Sequence, residues 1–314
     1  MYREQIKVLD CTIRDGGLIN DHYFTDDFVR AVYQALSKAG VDYMEFGYRN
    51  SKELFPPEKF GAWKYCDDDK IREITAGFES DMKISIMVDA HRVQEQVFLP
   101  VDESPVDMIR VATYAKDVDK AIDLINRVHD LGYETTVNIM AISTESEFDL
   151  VEALKQLAEC PTQTVYVVDS FGNLYSEQIA YFVQLYQQHL PGKEIGIHCH
   201  NNQQLAFGNT IEAIIKGANY LDGTVFGIGR GAGNCCLELL LGFLKNPKFD
   251  LTPVLQIIEN YMFPLRKDME WGYLIPDMIT GILNEHPRHA IGRRAGKDRD
   301  KIVEFYKEML ESVD

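Results

Sequence analysis

The sequence predicts an α/β chain folded as a closed (β/α)8 TIM barrel with a C-terminal helical extension. Three observations predict it. Short apolar runs alternate with amphipathic helical stretches over roughly the first 240 residues, and parallel strand pairing needs such crossovers. Eight of these units can be read, the number that closes a barrel, although an open doubly wound sheet is a competing architecture. The residues suited to chemistry cluster just after the strands, where such a barrel carries its site.

The elements follow in order. Strands are expected at Ile6–Cys11, Tyr43–Gly47, Ile84–Val88, Met108–Ala112, Thr135–Ile139, Thr164–Val168, Ile195–Cys199 and Leu221–Val225. Helical periodicity runs through Asp26–Ala39, Asp117–Leu131, Glu145–Ala158, Ser176–His189 and Gln203–Lys216. "CDDDK" reads as a solvated helix start. After about Asn246 the alternation stops, and helical stretches follow near Pro253–Tyr261, Ile275–Asn284 and Lys297–Glu311. The expected organisation is therefore a barrel over residues 1–246 and a helical extension over 247–314. No Pro-, Gly- or Ser-rich linker separates them. The basic run "GRRAGKDRDK" reads as a solvated loop leading into a helix.

Composition limits the function classes. A 46% hydrophobic content over 314 residues can bury a large core. A net charge of −17 repels phosphate backbones and anionic lipid, so neither nucleic acid nor membrane is an expected partner. No run of about 20 apolar residues occurs, and "MYREQIKVLD" lacks a signal-peptide core, so a cytoplasmic protein is expected. The six cysteines show no CxxC pairing and are expected as reduced thiols.

Six segments close predicted strands: "DCTIRDGG", "EFGYRN", "VDAHR", "VDSFGN", "HCHNN" and "GIGRGAGN". In "GIHCHNN", His198 and His200 are two apart on a strand end and face one way. They suit a divalent ion, or are two hydrogen-bonded histidines at a strand end. Asp15 is the best third ligand, because strands one and seven of a closed barrel are separated only by strand eight. Two histidines and a carboxylate fill one face of an octahedral ion such as Mn²⁺, Mg²⁺ or Co²⁺, with Zn²⁺ a further option. Asn234 could add a carbonyl oxygen. Arg14 either forms a salt bridge with its neighbour or places fixed positive charge on a developing enolate.

"GIGRGAGN" superficially matches a dinucleotide fingerprint. It follows the eighth strand rather than opening the first βα unit, so an anion-binding loop is the better reading. Arg230 would serve that loop or form a surface ion pair. Asp89, His91 and Arg92 stand at a strand end where one of them could line the pocket.

Together, "LDCTIRDGG", "MEFGYRN", "VVDSFGN", "GIHCHNN" and "GIGRGAGN" make the chain resemble the DRE-TIM metallolyase superfamily with its HMGL-like domain. That group includes hydroxymethylglutaryl-CoA lyase, isopropylmalate synthase and 4-hydroxy-2-oxovalerate aldolase, and "RDGG" and "VDSFGN" resemble the last. The resemblance implies metal ligation by Asp15, His198 and His200, with Asn234 beside them. It implies enolate stabilisation by Arg14, substrate contacts from Ser170 and His198, and an acidic Glu45 near the arginine. It implies cleavage of a 4-hydroxy-2-oxo acid to pyruvate and an aldehyde, or the reverse, with Mn²⁺ or Mg²⁺ the first-choice cofactor. A homo-oligomer and an aldehyde dehydrogenase partner are also in keeping with it.

The chain departs from the aldolase pattern at Leu18, where those enzymes carry the histidine base. His22 is the nearest replacement, or else a solvated loop histidine. Tyr273, in "WGYLIPDMITG", matches a segment that supplies an active-site tyrosine, or else is an aromatic core residue. Rival readings are an acyl-CoA lyase or Claisen-type synthase, a metal-dependent hydrolase, and a non-catalytic metal-binding barrel acting as a regulatory or binding subunit. The hydrolases carry their His-x-His on the first strand, not the seventh.

Overall fold

In the computed structural model the described residues are 3–92 and 98–313. Eight strands form a closed, all-parallel barrel: β1 (Lys7–Asp10), β2 (Tyr43–Tyr48), β3 (Lys83–Asp89), β4 (Met108–Thr113), β5 (Glu134–Ile139), β6 (Thr164–Asp169), β7 (Glu194–Cys199) and β8 (Tyr220–Gly223). Each strand pairs with its sequence neighbours, and β1 closes onto β8 with Lys7 opposite Tyr220 and Asp10 opposite Gly223. All eight expected strands are present, with ends shifted by one or two residues.

Helices wrap the barrel: α1 (Thr12–Gly16), α2 (Asp26–Lys38), α3 (Asp68–Thr75), α4 (Val118–Asp130), α5 (Glu147–Ala158), α6 (Ser176–His189), α7 (Ala206–Lys216) and α8 (Leu237–Leu244). Local chemistry sets several starts. The Thr25 hydroxyl accepts from the Phe28 N–H at 3.3 Å, and Asp26 and Asp27 meet the positive end of the α2 dipole. Ser146 caps α5 in the same way through the Asp149 N–H at 3.1 Å. The apolar faces bury Val29, Val32 and Leu36 of α2, and Leu150, Leu154 and Leu157 of α5, against the outside of the sheet.

The barrel interior has its own pattern. Leu9, Cys11, Tyr43 and Met108 form a small apolar cluster inside it. One step further along the same strand faces come Glu45, Arg110 and Asp222, all fully buried. Charged side chains rarely occupy such positions unless paired.

Beyond the barrel lie α9 (Thr252–Ile257), α10 (Phe263–Leu265), α11 (Ile275–Ile282), α12 (Arg288–Ala295) and α13 (Ile302–Val313). Val254, Ile257 and Met262 join the main core, whereas Ile279, Phe305 and Met309 make a separate small cluster. The basic run differs from expectation. Arg293 and Arg294 belong to the ordered α12, and Arg293 pairs with Glu308. Arg294 reaches the fully buried Asp277 at 3.1 Å, a partner that draws it out of solvent. The expected final helix begins only at Ile302, because the chain is extended at Gly296. All six cysteines are free thiols. Among the described residues, no helix is long and apolar enough to cross a membrane.

Candidate metal centre and pocket

Arg14 and Asp15 lie on α1, one short helix directly after β1. Asp10 holds this turn in place. Its carboxylate accepts from the Thr12 N–H (3.0 Å) and hydroxyl (2.6 Å), and the same hydroxyl oxygen accepts from the Val225 N–H at 2.8 Å. The turn after β1 is thereby tied to the end of β8.

Three ligand-type side chains meet there. Asp15 Oδ2 lies 3.5 Å from His198 Nε2 and 3.6 Å from His200 Nε2. All three residues are buried, and their ligand atoms fall within 4.8 Å of one another. The other imidazole nitrogens are already committed. His198 Nδ1 sits 2.9 Å from Asp222 Oδ2, and His200 Nδ1 sits 3.0 Å from the Asp169 carbonyl oxygen. Both partners only accept, so each Nδ1 carries a hydrogen and each Nε2 turns toward Asp15. Neither Asp15 oxygen nor His198 Nε2 has a hydrogen-bond partner. A carboxylate and two imidazole nitrogens converging in a buried site form a donor set that fits a divalent metal, which would take the place of any proton on His198 Nε2.

Electrostatics agree with the geometry. Burial pushes the Asp15 carboxyl up, but Arg14 and the two histidines outweigh it and hold it well below the usual carboxylate range. Burial lowers His200 to about 3 and keeps it neutral. Burial also pulls His198 down, yet Asp15 and Asp222 overcome this and leave it raised.

Arg14 Nε donates to Glu45 Oε2 at 2.7 Å, and its Nη1 lies 3.3 Å from Asp15 Oδ1. Beneath them Arg110 ties the cluster together. It donates to Glu45 at 3.0 Å and to Asp222 at 2.6 Å, and it stacks 4.4 Å above the Tyr166 ring. One chain of contacts thus runs from Arg14 through Glu45, Arg110 and Asp222 to His198.

These groups open into a cavity of about 110 Å³. Its lining includes Arg14, Asp15, Leu18, Tyr48, Asn138, Ser170, His198, His200, Arg230 and His286. Of the residues expected from sequence, Arg14, Asp15, Ser170, His198 and His200 meet here, with Glu45 directly behind. Ser170 Oγ accepts from the Ala141 N–H at 2.8 Å. Asn234 is buried and bridged to His200 through the backbone; its Nδ2 donates to the Ile228 carbonyl at 3.0 Å, and its Oδ1 has no partner.

His22 and Tyr273 are not brought into the cavity. His22 is buried, not solvated, and meets Tyr48 edge-on with ring centroids 5.6 Å apart. Its ring packs so closely on Gly17 that a Cβ there would fall 2.2 Å from Nδ1. Burial, with Lys64 and Arg14 nearby, lowers His22 to about 3. Tyr273 is 58% exposed, neither in the core nor in the cavity wall. Asp89, His91 and Arg92 also stay out of the wall; His91 and Arg92 turn toward Asp117 and Asp89.

Sequence reading missed Tyr48, Tyr114, Asn138 and His286 in the wall, and Arg110 and Asp222 beneath it. Tyr48 is hidden by a bulge. Glu45 pairs with Ser85 and Tyr48 with Met87, so β2 carries one extra residue, which returns Tyr48 to the side Glu45 faces. Simple alternation puts them on opposite sides. Arg110 and Asp222 did carry a signal, as charges inside apolar strand runs.

A family model described as HMGL-like matches residues 5–259. The chain belongs to the HMGL-like family. It is 30% identical over 244 residues to an oxaloacetate decarboxylase from Mycobacterium tuberculosis, covering 78% of this chain and 71% of that one. It is 29% identical over 318 residues to a 4-hydroxy-2-oxovalerate aldolase from Geobacillus thermodenitrificans, covering 96% and 90%. The N-terminal domain of a candidate aldolase from Bacteroides vulgatus superimposes with a TM-score of 0.76 at 29% identity, covering 91% of this chain and 96% of that one. This HMGL-like chain therefore sits among carbon–carbon lyases and aldolases.

Proposed function

We propose that this HMGL-like chain is a divalent-metal-dependent carbon–carbon lyase. It cleaves a 4-hydroxy-2-oxo acid to pyruvate and an aldehyde, or joins them. The observation that carries the reading is the convergence of Asp15 with the Nε2 atoms of His198 and His200 beside an arginine in one buried pocket. Asp15, His198 and His200 would hold the ion, with the unpartnered Asn234 Oδ1 next to them. Mn²⁺ or Mg²⁺ suits a set with one carboxylate and sites left for substrate, and when bound it supplies Lewis acidity toward a 2-oxo group.

The chain's own groups do the rest. Arg14 stays ionised and is fixed by Glu45 and Asp15, so its positive charge is in place before negative charge develops on the pyruvate enolate. The Ser170 oxygen already accepts a backbone hydrogen, which leaves its own hydrogen free for the keto acid. Burial of Arg14, Asp15, His198 and His200 lowers the local dielectric and strengthens each of these interactions. Retro-aldol cleavage also needs a proton acceptor for the 4-hydroxyl. His22 lies behind Tyr48, so that proton would leave by way of the Tyr48 or Tyr114 hydroxyl in the wall, each passing its own proton onward as it accepts one.

One observation favours a second reading. Leu18 lines the cavity where the aldolases carry a base. Decarboxylation of oxaloacetate, the reaction for which the Mycobacterium tuberculosis relative is named, releases CO₂ and leaves the same enolate with no base at that point.

The test is loss of the pyruvate methyl proton signal in D₂O by NMR, with Mn²⁺ added and then chelated. Metal-dependent exchange should fall roughly 10²–10³-fold in Arg14→Gln, the cost of one preorganised oxyanion donor, and vanish in His198→Ala. Exchange that ignores the chelator and both substitutions would sink the reading. Oxaloacetate consumption without aldol cleavage would select the second reading.

A further inference from the structure

The cavity holds one more cation than the enolate chemistry uses. Arg230, from the turn after β8, lines the cavity on the side of Ser170. Its Nη2 donates to the Ser170 carbonyl at 3.3 Å, the single hydrogen bond found for it among the described residues. Among those residues no carboxylate lies within ion-pair distance of it. The nearby candidate, Asp277, is committed to Arg294 at 3.1 Å. Arg14 differs, since Glu45 and Asp15 both neutralise it. Asp277 feels the Arg230 charge from beyond ion-pair distance and is shared with Arg294, so a partly buried guanidinium with no ion pair of its own faces the cavity, which favours an anion from outside.

His286 stands beside it. This imidazole comes from the turn after α11, lines the same cavity, and leans on Phe171 with ring centroids 5.5 Å apart. Arg230 shares the cavity wall with His200, Tyr48 and His286. The position is enforced. Gly231, at φ +59°, packs so tightly on α11 that a Cβ would fall 2.1 Å from Asp277 Oδ1. Asn202 also donates to the Asp277 carbonyl at 3.0 Å. The helical extension therefore pins the loop that carries Arg230 and supplies the imidazole next to it.

We infer that Arg230 and His286 form a second subsite that binds a carboxylate, so that the substrate is a 2-oxo acid bearing another carboxylate at its far end. This rests on the proposed 2-oxo acid chemistry and names its substrate class. The 2-oxo carboxylate end goes to the Asp15, His198 and His200 side. The far carboxylate takes the planar fork of Arg230 and the N–H of a neutral His286. In the aldol direction the electrophile is then an aldehyde that carries a carboxylate.

Two unreactive probes of equal length test this, 2-oxoglutarate and 2-oxovalerate, which differ only in the far carboxylate. Their affinities are measured by calorimetry on the full chain with saturating Mn²⁺. The wild type should bind 2-oxoglutarate about 10- to 100-fold more tightly, the range for one charge-assisted contact. Arg230→Gln should erase that preference while 2-oxovalerate affinity holds. His286→Gln should reduce it by a smaller factor. Equal affinity for the two probes in the wild type overturns the subsite and leaves the lyase reading standing. Equal weakening of both probes in Arg230→Gln makes the arginine merely structural and overturns the subsite as well. Failure of both probes to bind overturns the lyase reading together with the subsite.

Discussion

The two ends of the barrel both carry charged side chains, and they treat them in opposite ways. At the N-terminal end of the strands, Lys7 and Lys248 share Asp42 at 3.4 and 2.8 Å, and Lys83 and the Tyr43 hydroxyl share Glu134. These groups are partly exposed and meet partners of opposite sign or matching polarity. At the C-terminal end, Asp15 and His198 are buried with ligand atoms that have no hydrogen-bond partner, and Arg230 forms no ion pair among the described residues. Satisfied charges in water add a little stability, whereas buried charges left open store a demand that only a bound species meets. The comparison teaches where to look for function in a highly charged barrel. The informative end is the one with unmet bonding capacity.

The strongest attempt to break this contrast removes the central cation of the buried end. Arg110→Met strips Glu45 and Asp222 of a shared partner without shrinking the side chain much. It should cost about 3–5 kcal/mol in urea unfolding, the range for breaking a buried pair. A loss under 1 kcal/mol would mean that the interior charges are as loosely held as the exterior ones.

Asp222→Asn is a finer probe. Asp222 is held below the usual carboxylate range by Arg110 and His198 acting against burial, and it orients the His198 ring. Mn²⁺ affinity, followed by calorimetry, should drop about 10- to 100-fold, as when a histidine ligand loses its orienting partner. Unchanged affinity would place the ion elsewhere.

His22 gives the contrast a pH signature. Its folded value of about 3 lies below its ordinary 6.5. The unfolded chain therefore binds the extra proton between those values, so the neutral buried ring contributes stability fully above pH 6.5 and loses it as the pH falls toward 3. His200 behaves alike. His22→Asn, which suits the left-handed backbone at this position (φ 65°), should remove about 1.4 kcal/mol per pH unit from the acid slope of unfolding stability between about pH 6 and 4. An unaltered slope would show the ring to be protonated or solvated.

Lys83→Ala at the other end should cost no more than about 1 kcal/mol by the same unfolding assay, with Mn²⁺ affinity intact. A larger loss would erase the distinction between the ends.

Much of this was legible in the chain because a barrel repeats one signal. Each strand is a short apolar run, each is followed by a helix, and the order of motifs reproduces the order of strands. The convergence of Asp15, His198 and His200 was legible for a similar reason. His198 and His200 share a parity that no backbone irregularity disturbs, and a closed sheet brings β1 near β7. Tyr48 was not legible, because a single bulged residue in β2 reverses its parity. His286 was not either; it reaches the cavity through the packing of the last helices, which no local pattern encodes. His22 shows the remaining failure. Proximity in sequence to Asp15 does not carry it past the Tyr48 ring. The basic run near residue 294 misled in another way, since a buried aspartate on the preceding helix, Asp277, recruits one of its charges.

The closure of β1 onto β8 also sets a clock. Residues 7–10 find their hydrogen-bonding partners only at residues 220–223, so the first strand must wait for more than two-thirds of the chain before its second edge is covered. Arg14 and His286 stand still further apart. Each other strand pair can form from neighbours as they emerge, but the pocket draws its walls from both ends of the chain, from Arg14 to His286. During synthesis, then, most of the architecture can be in place while the chain is still chemically silent, and the capacity to act arrives at the end, all at once.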